Sequence, residues 1–192
     1  MDRIIDIVLP AIPQTLIMVI ASTIIALLIG LPLGIILTTT RPGGLTESLK
    51  VYSVLDGIIN ILRSFPFVIL MIVVFPLSRL IVGKSYGTAA MIIPLSVSAA
   101  PFVARLMEGY LIQVDSGIIE AAKSMGSSKR EIIFKVLIPE AMPMIVTGIT
   151  MTVINVIGYS AMAGVMGGGG LGDVANRYGY QRNEPLILWS AV

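Results

Sequence analysis

The chain has 192 residues, of which 56% are hydrophobic and 12% are charged, and its formal net charge is +2. Soluble domains carry about a quarter of their residues as charged side chains, so this composition excludes an ordinary soluble domain and indicates a polytopic membrane protein. Cysteine and histidine are absent, which excludes a disulfide framework and the commonest metal ligands. The small, dispersed net charge gives no reason to expect a nucleic-acid partner, and no metal or cofactor is predicted.

Apolar runs predict four membrane-spanning helices and the start of a fifth. A helix needs about 20 predominantly apolar residues to cross a bilayer. Such runs lie at about 14–38, 57–82, 85–105, 140–163 and from 185 to the end. The last run, LILWSAV, has only seven residues, so we expect five spans in an intact protein and a truncated fifth span here. The predicted fold class is all-α, with residues 1–192 as a single transmembrane domain.

The distribution of Lys and Arg predicts that the N-terminus lies outside. In that orientation, eight of the 13 basic residues fall in inner loops or near inner helix ends, and five fall outside. Because cytoplasmic loops are enriched in Lys and Arg, the charged loop (residues 115–139) is expected in the cytoplasm. Near the inner end of the third span, Arg105 and Glu108 are interpreted as interfacial anchors, with a role in coupling as the alternative.

The charged loop holds seven of the chain's 24 charged residues (13 basic plus 11 acidic) and is predicted to form two short helices. Asp115 is a suitable N-cap for the first helix, and Gly126 suits the left-handed position that ends it. Ser128 and Glu131 match the S-x-x-E pattern of a capping box. Pro139 is expected to end or redirect the second helix. These signals also fit an ordinary solvated loop, which is the alternative on helix signals alone.

The charged loop resembles the EAA signature of ABC importer permeases. The matching residues are Glu120, Ala121, Ala122, Gly126, Val136, Ile138 and Pro139. Val136 and Ile138 depart conservatively from the usual isoleucine and leucine, and the spacing holds. Further similarity to the methionine-uptake subfamily of these permeases covers residues 30–42, 63–67, 94–108 and 158–180.

The resemblance implies a type I ABC importer permease with five transmembrane helices, which acts as a homodimer in the cell membrane. It implies two separate ATP-binding subunits that dock on the signature residues, and an extracytoplasmic methionine-binding (lipo)protein. The implied function is ATP-driven uptake of D- or L-methionine by alternating access, without enzymatic activity in this chain. The sequence contains no G-x-x-x-x-G-K-[ST] pattern for nucleotide binding. The alternatives are a permease for another amino acid or small solute, and a stand-alone channel.

Four side chains in the fourth span are candidates for the substrate pathway: Asn155, Tyr159, Ser160 and Met162. Polar groups at that depth are costly in lipid unless they face protein or a cavity, so a pathway lining and helix–helix hydrogen bonding both remain open. Met162 offers a soft thioether to an amino-acid side chain. The glycine-rich stretch 167–172 is interpreted as a flexible outer loop, with a close-packed gate as the alternative.

Overall fold

A computed structural model describes residues 2–192 as helices joined by short turns. In chain order the helices are α1 (Asp2–Val8), α2 (Ala11–Thr40), α3 (Leu49–Ser64), α4 (Phe67–Val82), α5 (Thr88–Ile112), α6 (Ser116–Ser124), α7 (Lys129–Glu131), α8 (Ile138–Ala163), α9 (Gly170–Val174) and α10 (Pro185–Ala191). Within residues 2–192, two π-helical stretches at Ile132–Leu137 and Ala175–Tyr180 complete the path, and Gly164–Gly168 contains a kink where Met166 and Gly167 have non-helical backbone angles. No β-strand occurs in residues 2–192, so the predicted all-α class is confirmed.

Within residues 2–192, three helical stretches are long and apolar enough to cross a membrane: Arg3–Thr40, Thr88–Ile112 and Lys129–Gly168. The predicted spans at 14–38 and 140–163 lie inside the first and the third of these stretches. The third stretch has 40 residues, which is about 60 Å at about 1.5 Å per residue. A hydrocarbon core is only about 30 Å thick. This stretch is therefore longer than the hydrocarbon core is thick.

The predicted span at 57–82 is wrong as a single helix. α3 ends at Ser64 and α4 begins at Phe67. Between them, Pro66 has φ −57° and ψ 135°, an extended conformation that cannot continue a helix. Proline also lacks a backbone donor and disfavours helical geometry in the residue before it. The pair counts as a fourth crossing within residues 2–192 only if the two helices are taken together as one broken span.

The chain forms two compact units, each assembled from separate stretches. Unit 1 contains residues up to Ala26, Phe65–Ala99 and Val153–Val192, and unit 2 contains Leu27–Ser64 and Ala100–Thr152. Each unit has its own apolar core. In unit 1 this core includes Met18, Phe67, Met71, Met91, Leu95 and Ala163, and in unit 2 it includes Leu37, Ile59 and Ala104.

Side chains of α2 cap the short helix α9 in unit 1. The N–H of Gly170 donates to Gln14 Oε1 at 2.7 Å, and the N–H of Leu171 donates to Thr15 Oγ1 at 2.9 Å. The first N–H groups of a helix have no partner within that helix. α9 therefore obtains from another element the acceptors that its own glycine-rich start cannot supply.

The glycine-rich stretch 167–172 is close-packed, so its interpretation as a flexible loop is wrong. The N–H of Gly87 donates to the carbonyl of Gly167 at 2.8 Å. Gly168 is buried, and a Cβ added at Gly172 would overlap the carbonyl oxygen of Ala161. Glycine serves here because two stretches of backbone approach each other too closely for a side chain. The close packing that the alternative interpretation, a gate, requires is present; the gating role stays a prediction.

Gln14→Ala is expected to lower the free energy of unfolding by about 1–3 kcal/mol, because it leaves the buried N–H of Gly170 without an acceptor. Gln14→Glu replaces the amide oxygen with a carboxylate oxygen that can accept the same hydrogen bond, and it is the matched control. Thermal unfolding of both variants in detergent measures the effect. Equal melting temperatures for the wild type and Gln14→Ala would show that the cap contributes nothing.

In unit 2, α2 and α5 approach each other at two glycines. Gly30 and Gly34 lie four residues apart on α2 and form a small-xxx-small pattern. A Cβ added at Gly30 would lie 2.6 Å from Val103 Cβ, and one added at Gly34 would lie 2.5 Å from Met107 Cβ. The two helices can therefore keep this separation only while both positions lack side chains.

Candidate functional site

The first half of the charged loop is α6, and its N-terminus is capped as predicted. Asp115 Oδ1 accepts a hydrogen bond of 2.7 Å from the N–H of Gly117, which satisfies one of the free donors of the first turn. Glu120 and Ala121 are exposed on α6, whereas Ala122 is buried. α6 therefore presents part of the signature outward and uses Ala122 for its own packing.

Gly126 ends α6 in the left-handed conformation, as predicted. Its φ is +80°, a value that glycine adopts freely and that most other residues avoid. The N–H of Gly126 donates to the carbonyl of Lys123 at 3.0 Å, and the N–H of Ser127 donates to the carbonyl of Ala122 at 3.1 Å. These two bonds are the Schellman arrangement. The direction in which the chain leaves α6 is thus set at one residue.

Ser128 and Glu131 form the predicted capping box at the start of α7. The N–H of Ser128 donates to Glu131 Oε2 at 3.1 Å, and the N–H of Glu131 donates to Ser128 Oγ at 3.4 Å. Lys135 Nζ donates to Glu131 Oε1 at 3.0 Å. The hydrogen bond from Lys135, together with those from Ser128, lowers the pKa of Glu131 from 4.5 to about 2. The capping carboxylate therefore stays ionised at neutral pH.

The helix continues through Pro139, so the prediction that this proline ends the helix is wrong, whereas a change of direction at this residue stays a prediction. Residues Ile132–Leu137 form a π-helical stretch, in which the N–H of Ile138 donates to the carbonyl of Ile133, five residues back. The wider turn makes room for the proline ring, and it tolerates the absence of a backbone N–H at Pro139. α8 then runs on to Ala163. The second half of the charged loop is therefore joined to the membrane helix by continuous helical backbone.

The outward face of the charged loop combines cations with large apolar side chains. Lys123, Lys129 and Arg130 are exposed and make no side-chain hydrogen bond or ion pair within residues 2–192. Met125 is 79% exposed and Phe134 is 65% exposed. Neither belongs to the EAA signature, and only their positions beside the loop glycine and among the basic residues could have indicated them. Unpaired charges around apolar anchors are typical of a protein-docking surface.

A cleft of about 180 Å³ lies beside α6. It is lined by the turn after α2, including Arg41 and Gly44, by the end of α5, and by Glu120 and Lys123 of α6. Charged side chains from α6 and from the turn after α2 thus line one concave surface, which includes Glu120 of the signature. A side chain that protrudes from a partner protein can enter such a surface.

Two of the four pathway candidates on α8 pack within unit 1, with Tyr159 partly buried and Ser160 buried. The ring of Tyr159 stacks on Phe67, with ring centroids 4.4 Å apart and an interplanar angle of 3°. Ser160 is buried, and its hydroxyl donates to the carbonyl of Ile157 at 2.8 Å. Both side chains therefore have partners within the subunit, and the geometry supports their packing role directly.

Of the other two candidates, Met162 is exposed and Asn155 is partly buried, like Tyr159. Met162 is 47% exposed and lines an open apolar groove with Val165, Tyr180 and Leu188. Asn155 is half-buried. Of the four predicted residues, Met162 alone lines this groove.

Residues 30–192 match the family described as binding-protein-dependent transport system inner membrane component, and the chain belongs to this family. It is 49% identical over 183 residues to a probable D-methionine transport system permease protein of Vibrio cholerae, covering 95% of this chain and 81% of the relative. It is 46% identical over 151 residues to the D-methionine transport system permease protein of Escherichia coli K12, covering 79% of this chain and 70% of the relative.

Solved structures show the same fold. A chain from the native crystal form of the inward-facing MetNI methionine ABC transporter matches with a TM-score of 0.97 and 40% identity, over all of this chain and 88% of that one. A second crystal form, soaked with selenomethionine, matches with a TM-score of 0.93 and 42% identity, over 95% of this chain and 85% of that one. The predicted importer-permease fold is confirmed, and the chain is an inner-membrane transport component.

Proposed function

We propose that this chain is the permease subunit of an ATP-binding-cassette importer that takes up methionine. The observation that carries the proposal is the charged loop, because its signature begins on the capped helix α6 and, after the capped start of α7, continues as unbroken helix into α8. The substrate comes from the relatives: the Vibrio cholerae protein, 49% identical to this chain, is named for D-methionine transport. D- and L-methionine are both included in the proposal.

ATP hydrolysis is supplied by two separate subunits that dock on the charged loop. In this mechanism Ala121 permits close approach, Glu120 sets orientation through charge pairs, and the buried Ala122 holds α6 in place. Gly126 fixes the angle at which α7 follows. The remaining signature residues, Val136, Ile138 and Pro139, lie in or next to the π-helical stretch and pass movement of the loop to α8.

The assembly contains two copies of this chain, and an extracytoplasmic methionine-binding (lipo)protein delivers the substrate. The N-terminus lies outside and the charged loop lies in the cytoplasm, an orientation supported by the cluster of unpaired cations on that loop. Residues 1–192 act as one transmembrane domain. In support, the chain passes between units 1 and 2 four times, at residues 26–27, 64–65, 99–100 and 152–153, so neither unit is a contiguous domain.

The outer half of α8 contributes to the substrate pathway through Asn155, Tyr159, Ser160 and Met162. Met162 contacts substrate directly, because its thioether is accessible in an apolar groove that suits an unbranched, sulfur-containing side chain. Tyr159 and Ser160 act from behind this surface, because their side chains are held by Phe67 and by the backbone.

The proposal is tested by reconstitution in proteoliposomes with the cognate ATPase and the methionine-binding protein. We expect uptake of radiolabelled methionine that requires internal ATP and ceases when the ATPase subunit is inactivated by mutation. Other amino acids are supplied in parallel as controls. Equal uptake of unrelated amino acids contradicts methionine as the substrate but leaves the importer class standing. Ion flux without ATP contradicts the importer class itself and favours a channel.

A further inference from the structure

Arg105 joins two helices of unit 2 through a fork of hydrogen bonds. Its Nη2 donates to Asp56 Oδ1 at 2.7 Å and to Asn60 Oδ1 at 2.9 Å, and both of these acceptors lie on α3. Its Nη1 donates to Glu108 Oε2, one turn further along α5, at 2.6 Å. Asn60 Nδ2 in turn donates to Asp56 Oδ2 at 3.0 Å. These four residues form the Arg105 junction.

The Arg105 junction fixes the orientation of α3 relative to α5, and Arg105 is therefore more than an interfacial anchor. A guanidinium that only reached for water would be well exposed, but the Arg105 side chain is 25% exposed and the Glu108 side chain only 5%. The guanidinium is planar and its donors point in fixed directions. Glu108 holds Nη1 of the guanidinium from within α5, and the two hydrogen bonds from Nη2 are directed at Asp56 and Asn60 on α3.

The apolar contacts in this part of unit 2 do not fix the position of α3 along α5 in the same way. They form a cluster around Leu37, Ile59 and Ala104, contributed by α2, α3 and α5. Apolar burial is non-directional and tolerates sliding of one helix along another, whereas hydrogen bonds of 2.6–2.9 Å do not. Separating the helices would also leave Asp56 without its cation, which is costly for a partly buried charge.

The junction lies close in sequence to the charged loop. Arg105 is seven residues, about two turns, before the end of α5 at Ile112, and α6 begins at Ser116. Ile112 lines the same cleft as Glu120 of the signature. We propose that the Arg105 junction is a positioning link that makes α3 move with α5 when the ATPase displaces the charged loop, an inference that rests on the proposed function.

The test is the number of methionine molecules taken up per ATP hydrolysed, in proteoliposomes that contain the ATPase and the methionine-binding protein. Arg105→Lys keeps the positive charge but lacks the fork, so it cannot hold Glu108 and the α3 acceptors together. We expect this ratio to fall about tenfold, within the range of measured coupling between sites, while ATPase rate and melting temperature stay near those of the wild type. Asp56→Asn alone is expected to lower the ratio in the same direction.

Two further variants distinguish loss of the Arg105–Asp56 link from a general effect of changing a charged residue. Combining Asp56→Asn with Arg105→Lys is expected to be no worse than Arg105→Lys alone, because both changes remove the same link. Arg63→Ala is the control on α3, because Arg63 is exposed and makes no side-chain hydrogen bond or ion pair in residues 2–192.

A wild-type ratio in Arg105→Lys, or a proportional loss of ATPase and uptake that leaves the ratio unchanged, overturns the positioning role. Absence of ATP-driven uptake by the wild type contradicts the proposed function, and the link with it, so the two failures can be told apart.

Discussion

Gly126→Val is expected to abolish ATP-driven uptake while the permease remains folded. A Cβ at this position would meet no atom within 4 Å, so the change creates no clash. The penalty is conformational, because φ is +80° and a β-branched residue in the left-handed region costs on the order of 1–3 kcal/mol. The strain is relieved by a different path between α6 and α7, and the loop then presents its two halves at the wrong angle.

The measurement compares uptake and ATPase rate in proteoliposomes with the melting temperature in detergent. Gly126→Asn is the matched control, because asparagine tolerates the left-handed conformation better than any β-branched residue does, and it should retain most of the uptake. If Gly126→Val transports methionine with the efficiency of the wild type, the angle between α6 and α7 is irrelevant to coupling.

Gly34→Val is expected to have the largest effect on stability and to leave little folded protein. Its Cβ would lie 2.5 Å from Met107 Cβ and 2.8 Å from the carbonyl oxygen of Ala104. Overpacking of a core typically costs about 1–3 kcal/mol, and more when the obstructing atom belongs to a backbone that cannot move aside. Because the obstruction here is helix α5 itself, we expect α2 and α5 to separate.

The matched control is Gly57→Val on α3, where an added Cβ meets nothing within 4 Å. This control is expected to fold, because only its modest helix propensity changes. Yield of monodisperse protein in size-exclusion chromatography and thermal unfolding in detergent provide the measurement. Similar yields and melting temperatures for the two variants would show that the close approach at Gly34 is not required for the fold.

Local signals in the sequence predicted the caps and the left-handed glycine of the charged loop. The caps at Asp115 and Ser128 and the left-handed Gly126 each depend on residues within a few positions, so the pattern of side chains was sufficient. Pro139 was misjudged because the expectation assumed regular α-helical spacing. The π-helical stretch before it, which removes the conflict, has no marker in the residue types.

Long-range contacts account for most of what the sequence could not show. Hydropathy sums apolar content along a window, so it joined α3 and α4 across the extended backbone of Pro66. Arg105 could be placed near an interface, but its partner Asp56 lies 49 positions away. Glycine content suggested mobility at 167–172, whereas the acceptors that hold this stretch come from another helix.

The cap on α9 can form only late in synthesis, because its acceptors and donors are far apart in the sequence. Gln14 and its acceptor oxygen are made 156 residues before Gly170, which supplies the donor. At about 5–20 residues per second of translation, that interval is roughly 8–30 s. Every segment of unit 2 has been synthesised by Thr152, but unit 1 still needs the stretch from Val153 onward. Gln14 and Thr15 on α2 therefore cannot bond the N–H groups of α9 until Gly170 and Leu171 have been synthesised.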